Sequence, residues 1–289
     1  MKPTLLLAGL LISCSSIAQS IVKESLKLKS TILGKDVEYS IYLPPDYATS
    51  ERRYPVLYLL HGFTDDETAW TQFGEVKAIA DAQLQKMEMT PMIIVMPDAG
   101  TSWYMNSADG KVKFDDFFIK EFIPFIDATY KTRTQRQFRA LAGLSMGGLG
   151  TLIYAFKYPD LFSAAAPLSA AVLLDEEVIN TPADRWAGAY GIPIGKDLAG
   201  AARLTEHYKS YSPLYLVKNG LADELKKVQY YIDCGDKDFL IKGNMALHAA
   251  LIDKQIPHEF RVREGVHNWT YWRTALPDVF RFISTSFHR

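Results

Sequence analysis

The hexapeptide Gly143-Leu144-Ser145-Met146-Gly147-Gly148, entered from the apolar run Phe138 to Ala142, constrains the fold more than any other stretch of the chain. In a G-x-S-x-G sequence a strand turns sharply into a helix and lifts the serine hydroxyl clear of the sheet edge. Gly143 and Gly147 stand two residues either side of Ser145, where a Cβ would obstruct the close approach of strand and helix. The motif therefore predicts a nucleophile and an α/β fold together. Its bland reading is a glycine-rich turn with an incidental serine, so the rest of the chain has to supply the partners such a nucleophile needs.

With 289 residues, 48% of them hydrophobic, the chain can bury one substantial core, and a single domain is expected over residues 21–289. Lys plus Arg number 32 against 33 Asp plus Glu, so no basic excess points to nucleic acid. Residues 1–20 read as an export signal: Lys2 precedes the apolar run Leu5 to Ile12, which is too short to span a bilayer. Cleavage after Ser16-Ile17-Ala18 competes with a lipobox-like Leu11-Ile12-Ser13-Cys14, whose cysteine would carry a lipid anchor. The protein is thus expected to be secreted or periplasmic, or held at a membrane through Cys14. With Cys14 gone or lipidated, Cys234 has no partner for an intrachain disulfide.

Apolar runs alternate with helix-period segments along the chain, which predicts a mainly parallel sheet with helices on both faces. Ser25 to Ser30 and Val37 to Leu43 read as an antiparallel hairpin. Core strands are expected at Val56 to Leu60, Met92 to Met96, Phe138 to Ala142, Phe162 to Leu168, Val228 to Cys234 and His258 to Val262. Thr64-Asp65-Asp66-Glu67 has capping-box spacing and predicts a helix start. Further helices are expected at Phe114 to Tyr130, Leu149 to Tyr158, Asn244 to Lys254 and Trp269 to Ser284. Between Ala170 and Ala222 the pattern weakens, predicting an insertion of short helices over the sheet edge, a common source of lids and pocket walls.

A serine hydroxyl is a weak nucleophile at neutral pH and needs a base, usually oriented by a carboxylate. In α/β hydrolases these follow in the order Ser, Asp or Glu, His. Asp236 and Asp238 follow the strand ending near Cys234; Asp238 is preferred because the later carboxylate can project back across the edge, leaving Asp236 as a turn residue. Among the histidines after Ser145, His267 lies in a loop at the same edge. His207, His248, His258 and His288 fall in the insertion, a helix, a strand start and the terminus. The oxyanion is expected to be met by the N–H groups of Met146 and Phe63, the latter in the loop His61-Gly62-Phe63, where His61 braces the backbone. Asp65, Asp66 and Glu67 read as a solvated cap rather than a metal site. No zinc-ligand spacing occurs, and no cofactor is expected.

Taken in order, Leu59-Leu60-His61-Gly62, Met96-Pro97-Asp98, Ser102-Trp103-Tyr104, the elbow, Cys234-Gly235-Asp236-Lys237-Asp238-Phe239 and His267-Asn268-Trp269 make the chain resemble the esterase D family from about Tyr42 onward. That family includes S-formylglutathione hydrolases, tributyrin-type, feruloyl and acetylxylan esterases, and mycolyltransferases. The resemblance implies an α/β-hydrolase fold, Ser145 as nucleophile, Asp238 as acid and His267 as base, with Phe63 and Met146 forming the oxyanion hole. It favours Asp238 because the family's acid falls three residues after the turn glycine, here Gly235. It also implies that Trp103 and Tyr104 border the pocket; Trp269 is a further candidate for stacking on substrate. The expected substrate is a small-molecule or carbohydrate ester. Acyl transfer by the same residues, or a non-catalytic binding role, is the alternative.

Overall fold

The computed structural model describes residues 19–288. Cys14 and nearly all of the expected leader lie outside the described residues. Ser20, placed at the leader's end by the sequence, is buried, and its hydroxyl donates to Asp81 at 2.8 Å.

In chain order the elements are β1 (Ile21–Lys29), β2 (Asp36–Leu43), β3 (Val56–Leu60), α1 (Ala69–Gln72), α2 (Val76–Gln85), β4 (Ile93–Pro97), α3 (Phe114–Phe117), α4 (Ile123–Thr129), β5 (Arg139–Leu144) and α5 (Met146–Lys157). After β6 (Ala164–Leu168) come α6 (Asp175–Asn180), α7 (Ala183–Tyr190), α8 (Glu206–Lys209), α9 (Pro213–Asn219) and α10 (Ala222–Leu225); β7 (Gln229–Gly235), α11 (Ile241–Asp253), β8 (His258–Arg263) and α12 (Trp269–Ser286) complete the fold. The strands form one sheet in the order β1-β2-β4-β3-β5-β6-β7-β8, antiparallel at the hairpin and β2–β4 and parallel from there on. This is the mainly parallel sheet covered by helices that the alternation of apolar runs predicts, and the α/β-hydrolase fold that the resemblance implies.

The central strands are apolar throughout because both of their faces are covered. Val56, Tyr58 and Leu60 of β3 join one layer with α5 and the phenylalanines of α3 and α4, while Leu57 and Leu59 join the opposite layer with α2 and α12. Each such fully buried side chain contributes about 1.5–3 kcal/mol. At the far edge β8 is partly exposed and carries Glu259 and Arg261, charges that blunt an open strand edge.

Two expectations need correction. The helix expected from Phe114 to Tyr130 widens into a π turn over Phe118–Phe122, just before Pro124, which has no N–H to continue the helical ladder. The capping box at Thr64 does not form. Thr64 takes a left-handed φ of 68°, and the helix waits until Ala69. Asp66 accepts instead from the N–H and hydroxyl of Thr68, and Glu67, far from being a solvated cap, is buried and accepts from Ser25 at 2.7 Å.

The elbow depends on missing side chains. A Cβ on Gly147 would lie 2.4 Å from the Leu60 carbonyl oxygen and 2.6 Å from that of His61; one on Gly188 of α7 would meet nothing within 4 Å. Gly147→Ala is therefore expected to cost about 2 kcal/mol or more through overpacking against backbone, lowering Tm by several degrees. Gly188→Ala should leave Tm unchanged or raise it slightly, since alanine is the better helix former. Parallel thermal melts check the pair, and equal Tm values would contradict the tight contact.

Candidate active site

Four turns meet at the carboxyl edge of the sheet because the strands that feed them run parallel. Leu60 of β3 pairs with Gly143 of β5, and Gly235 of β7 pairs with Arg263 of β8, so the residues just beyond each strand emerge on the same side. Ser145 follows β5 with φ 53° and ψ −114°, a conformation that non-glycine residues rarely adopt. It is half-buried, whereas the elbow residues on either side of it are buried.

His267 and Asp238, singled out in the sequence, are both brought to this serine. The Ser145 hydroxyl lies 3.0 Å from His267 Nε2, and His267 Nδ1 lies 2.8 Å and 3.1 Å from the two carboxylate oxygens of Asp238. A carboxylate can only accept, so Nδ1 carries the ring proton and Nε2 is left to accept from the serine. Burial pushes the Asp238 carboxyl up, but hydrogen bonds from His267, the Leu240 N–H and Ser169 outweigh it and hold it below the usual carboxylate range.

Asp236 occupies a different place. It is exposed, and its Oδ1 accepts from the Gly265 N–H at 2.9 Å, fastening the loop that carries His267. Ser169, which the sequence reading passed over, follows β6 with a positive φ of 45°; its hydroxyl accepts from the Trp272 indole N–H at 3.1 Å. The only hint of it in the sequence is its position just past a strand end.

Met146 opens α5, and Phe63 follows Gly62, whose missing Cβ would stand 3.8 Å from that of Ser145. Among the described residues neither Phe63 nor Met146 spends its backbone N–H on a protein acceptor. Both loops thus bring free donors beside the serine, the arrangement that stabilises a developing oxyanion. His61 braces this turn: its Nε2 accepts from the Ala99 N–H at 2.8 Å, while Nδ1 donates to the Gly62 carbonyl at 2.8 Å.

A cleft of about 710 Å³ opens from Ser145. The β3 loop contributes Phe63, the β4 loop Trp103, the β7 loop Phe239, and the insertion Ala171, Leu173 and residues between Glu177 and Tyr190. Trp103 stacks on Tyr190 at 4.6 Å and donates its indole N–H to the Ala189 carbonyl. Tyr104, expected at the pocket border, and Trp269, expected to stack on substrate, lie elsewhere. Tyr104 is fully buried with its hydroxyl on the His61 carbonyl, because its positive φ of 60° turns it inward against Gly150. Trp269, at the start of α12, packs edge-on to Trp70 and Trp272 and against Phe73, away from the cleft.

The fold and this edge define a protein of the α/β-hydrolase class. Residues 30–283 match the family described as "Putative esterase", and the chain belongs to that family. It is 30% identical over 272 residues to Esterase Rv1288 of Mycobacterium tuberculosis, which covers 88% of this chain and 56% of that protein. The chain thus spans about half the length of this curated relative. Among solved structures it is similar to a ferulic acid esterase, with a TM-score of 0.81 and 32% identity over 93% of this chain and 99% of the other. It is also similar to FphF, a fluorophosphonate-binding serine hydrolase of Staphylococcus aureus, with a TM-score of 0.77 and 25% identity over 92% and 99%.

Burial pushes the His61 imidazole below its ordinary value of 6.5, against the opposing pull of the Gly62 carbonyl and of Asp98, Asp65 and Asp66. Below that ordinary value the unfolded chain takes up the proton first, so stability must fall as pH drops through it. Asp238 acts in a lower window: its folded value is depressed, so its contribution is complete above its unfolded value and fades only in stronger acid. Denaturant titrations from about pH 7.5 to about pH 5 should therefore show wild-type stability declining more steeply than that of His61→Gln, which has no titrating group there. Parallel slopes would contradict a buried neutral His61.

Proposed function

We propose that the chain is an exported serine carboxylesterase that forms an acyl-enzyme on Ser145. The observation that carries this reading is the continuous hydrogen-bonded chain Ser145–His267–Asp238 at the mouth of an apolar cleft. His267 Nε2 takes the hydroxyl proton as Ser145 Oγ attacks the ester carbonyl, and the oxyanion is met by the N–H groups of Met146 and Phe63. His267 returns the proton to the departing alcohol. Water then replaces the alcohol and attacks the acyl carbon, giving its proton to the same nitrogen, which returns it to Ser145 Oγ as the acid leaves. Asp238 keeps the proton on Nδ1 and stabilises the imidazolium between these steps.

For substrate, we favour esters of aromatic or short acids on carbohydrate. Phe63, Trp103 and Tyr190 give the cleft aromatic walls suited to a planar acyl group. Similarity to a ferulic acid esterase supports the same choice, as does the export signal proposed for residues 1–20.

Ser145→Ala should lower turnover by roughly 10⁴-fold to 10⁶-fold with the thermal melt unchanged. Asp238→Asn should lower it by about 10⁴-fold, since the amide stabilises the wrong tautomer, whereas Asp236→Asn should cost far less. Steady-state kinetics on feruloyl, acetyl and butyryl esters, with the chain freed of its leader, checks all three. Wild-type-like hydrolysis by Ser145→Ala would sink the mechanism, and a preference for plain butyrate over feruloyl and acetylated carbohydrate would sink the substrate assignment.

A further inference from the structure

The cleft beside Ser145 is backed by a second, smaller apolar void. It measures about 20 Å³ and is enclosed by buried side chains that include Met105, Leu149, Ile194, Tyr208 and Tyr211. Three residues line both spaces: Ala171, Leu173 and Tyr190. They form the partition between the cleft and the void, and they differ in how firmly they are held. The Ala171 N–H donates to the Ser145 carbonyl at 3.0 Å, so this end of the partition is tied to the nucleophile's own backbone. The Tyr190 ring is clamped between Trp103 at 4.6 Å and Trp186 at 5.0 Å. The half-buried Leu173 is held by apolar packing.

On the proposed mechanism the two halves of an ester must lie on opposite sides of Ser145. The leaving alcohol receives its proton from His267 Nε2 and so sits on the His267 side, where the Phe239 ring stands 4.6 Å from the imidazole. The acyl chain is left with the other side, along Ala171 toward Leu173 and Tyr190. Resting on that reading of the site, we infer that Leu173 is the acyl-length stop of this enzyme. Its isobutyl group ends the acyl path of the intact protein and closes off an apolar space into which a longer chain would extend.

The size of the effect follows from the carbons involved. Leu173→Ala removes three carbons and joins their space to the void behind, enough for an acyl chain about three to four carbons longer. Each methylene that becomes buried in an apolar site is worth about fourfold in kcat/KM. The test compares p-nitrophenyl acetate, butyrate and octanoate as probes on wild type, Leu173→Ala and Leu173→Phe. Leu173→Ala should raise the octanoate-to-acetate ratio of kcat/KM by about tenfold or more. Leu173→Phe, which refills the space, should lower that ratio below wild type. Should the alanine variant fold poorly, Leu173→Val must shift the ratio in the same direction by a smaller factor. Unchanged ratios in folded variants that still hydrolyse acetate would overturn the acyl stop and leave the esterase reading standing. Failure of the wild type to hydrolyse any ester in the panel would overturn the esterase reading itself.

Discussion

The structure hangs on a backbone contact with no side chains in it. Where β5 turns into α5, Gly143 and Gly147 lie against each other and against Leu60, with ideal Cβ positions 2.6 Å and 2.4 Å from backbone oxygens. Only that approach allows the helix to begin at Met146, which in turn forces Ser145 into its left-handed conformation. Holding a serine there costs about 1–3 kcal/mol. Three backbone hydrogen bonds anchor it: the Ser145 N–H to the Leu168 carbonyl, and the N–H groups of Leu149 and Ala171 to the Ser145 carbonyl, at 2.9–3.0 Å. At about 1 kcal/mol each, these offset the strain, so the serine is held by its neighbours on β6, on α5 and in the insertion.

Once the serine is fixed, strand direction does the rest. β3, β5, β7 and β8 are parallel, so the Phe63 loop, Ser145, Asp238 and His267 emerge at one edge although Phe63 and His267 lie far apart in the chain. The two aspartates of the β7 turn then divide the work by depth. Asp238 is buried and spends both oxygens on His267, with Oδ1 also accepting from the Leu240 N–H. Asp236 is exposed and ties down Gly265. Depth matters because a buried carboxylate interacts strongly with the one imidazole beside it, whereas an exposed one is screened and serves best as a backbone clamp.

What the sequence disclosed follows from which forces act locally. The strands were legible because a strand covered on both faces must be a continuous apolar run, and the elbow because no residue but glycine fits its close contacts. The order of Ser145, Asp238 and His267 was legible from the turns they occupy, although the residues alone left Asp236 open. Illegible were features decided by contacts between distant segments. Thr64-Asp65-Asp66-Glu67 has the letters of a capping box, but the neighbouring oxyanion turn bends Thr64 into a positive φ, and Ser25 takes Glu67 into the interior. Trp269 follows the proposed base by two residues yet faces Trp70 and Phe73, because the first turn of α12 points that side chain at α1. Leu173 and Tyr190 carried no periodic signal, since a loop ahead of α6 and the end of the short α7 place them.

Besides the Ala171 bond to Ser145, the insertion is coupled to the site through Trp103. Trp103 and Tyr104 both have positive φ, at 56° and 60°, an arrangement that two consecutive bulky residues adopt only when firmly held. Tyr104 supplies the hold. Its hydroxyl donates to the His61 carbonyl, its own carbonyl accepts from Tyr154, and its ring occupies the space a Cβ on Gly150 would need. The same backbone turn that sends Tyr104 inward sends Trp103 outward, where the indole packs 5.4 Å from the Phe63 ring and stacks on Tyr190 while donating to Ala189. Trp103 thus touches both the loop that presents the Phe63 N–H and the helix that walls the cleft. The wall of the cleft and the loop that presents the proposed oxyanion donor therefore share one contact residue, Trp103.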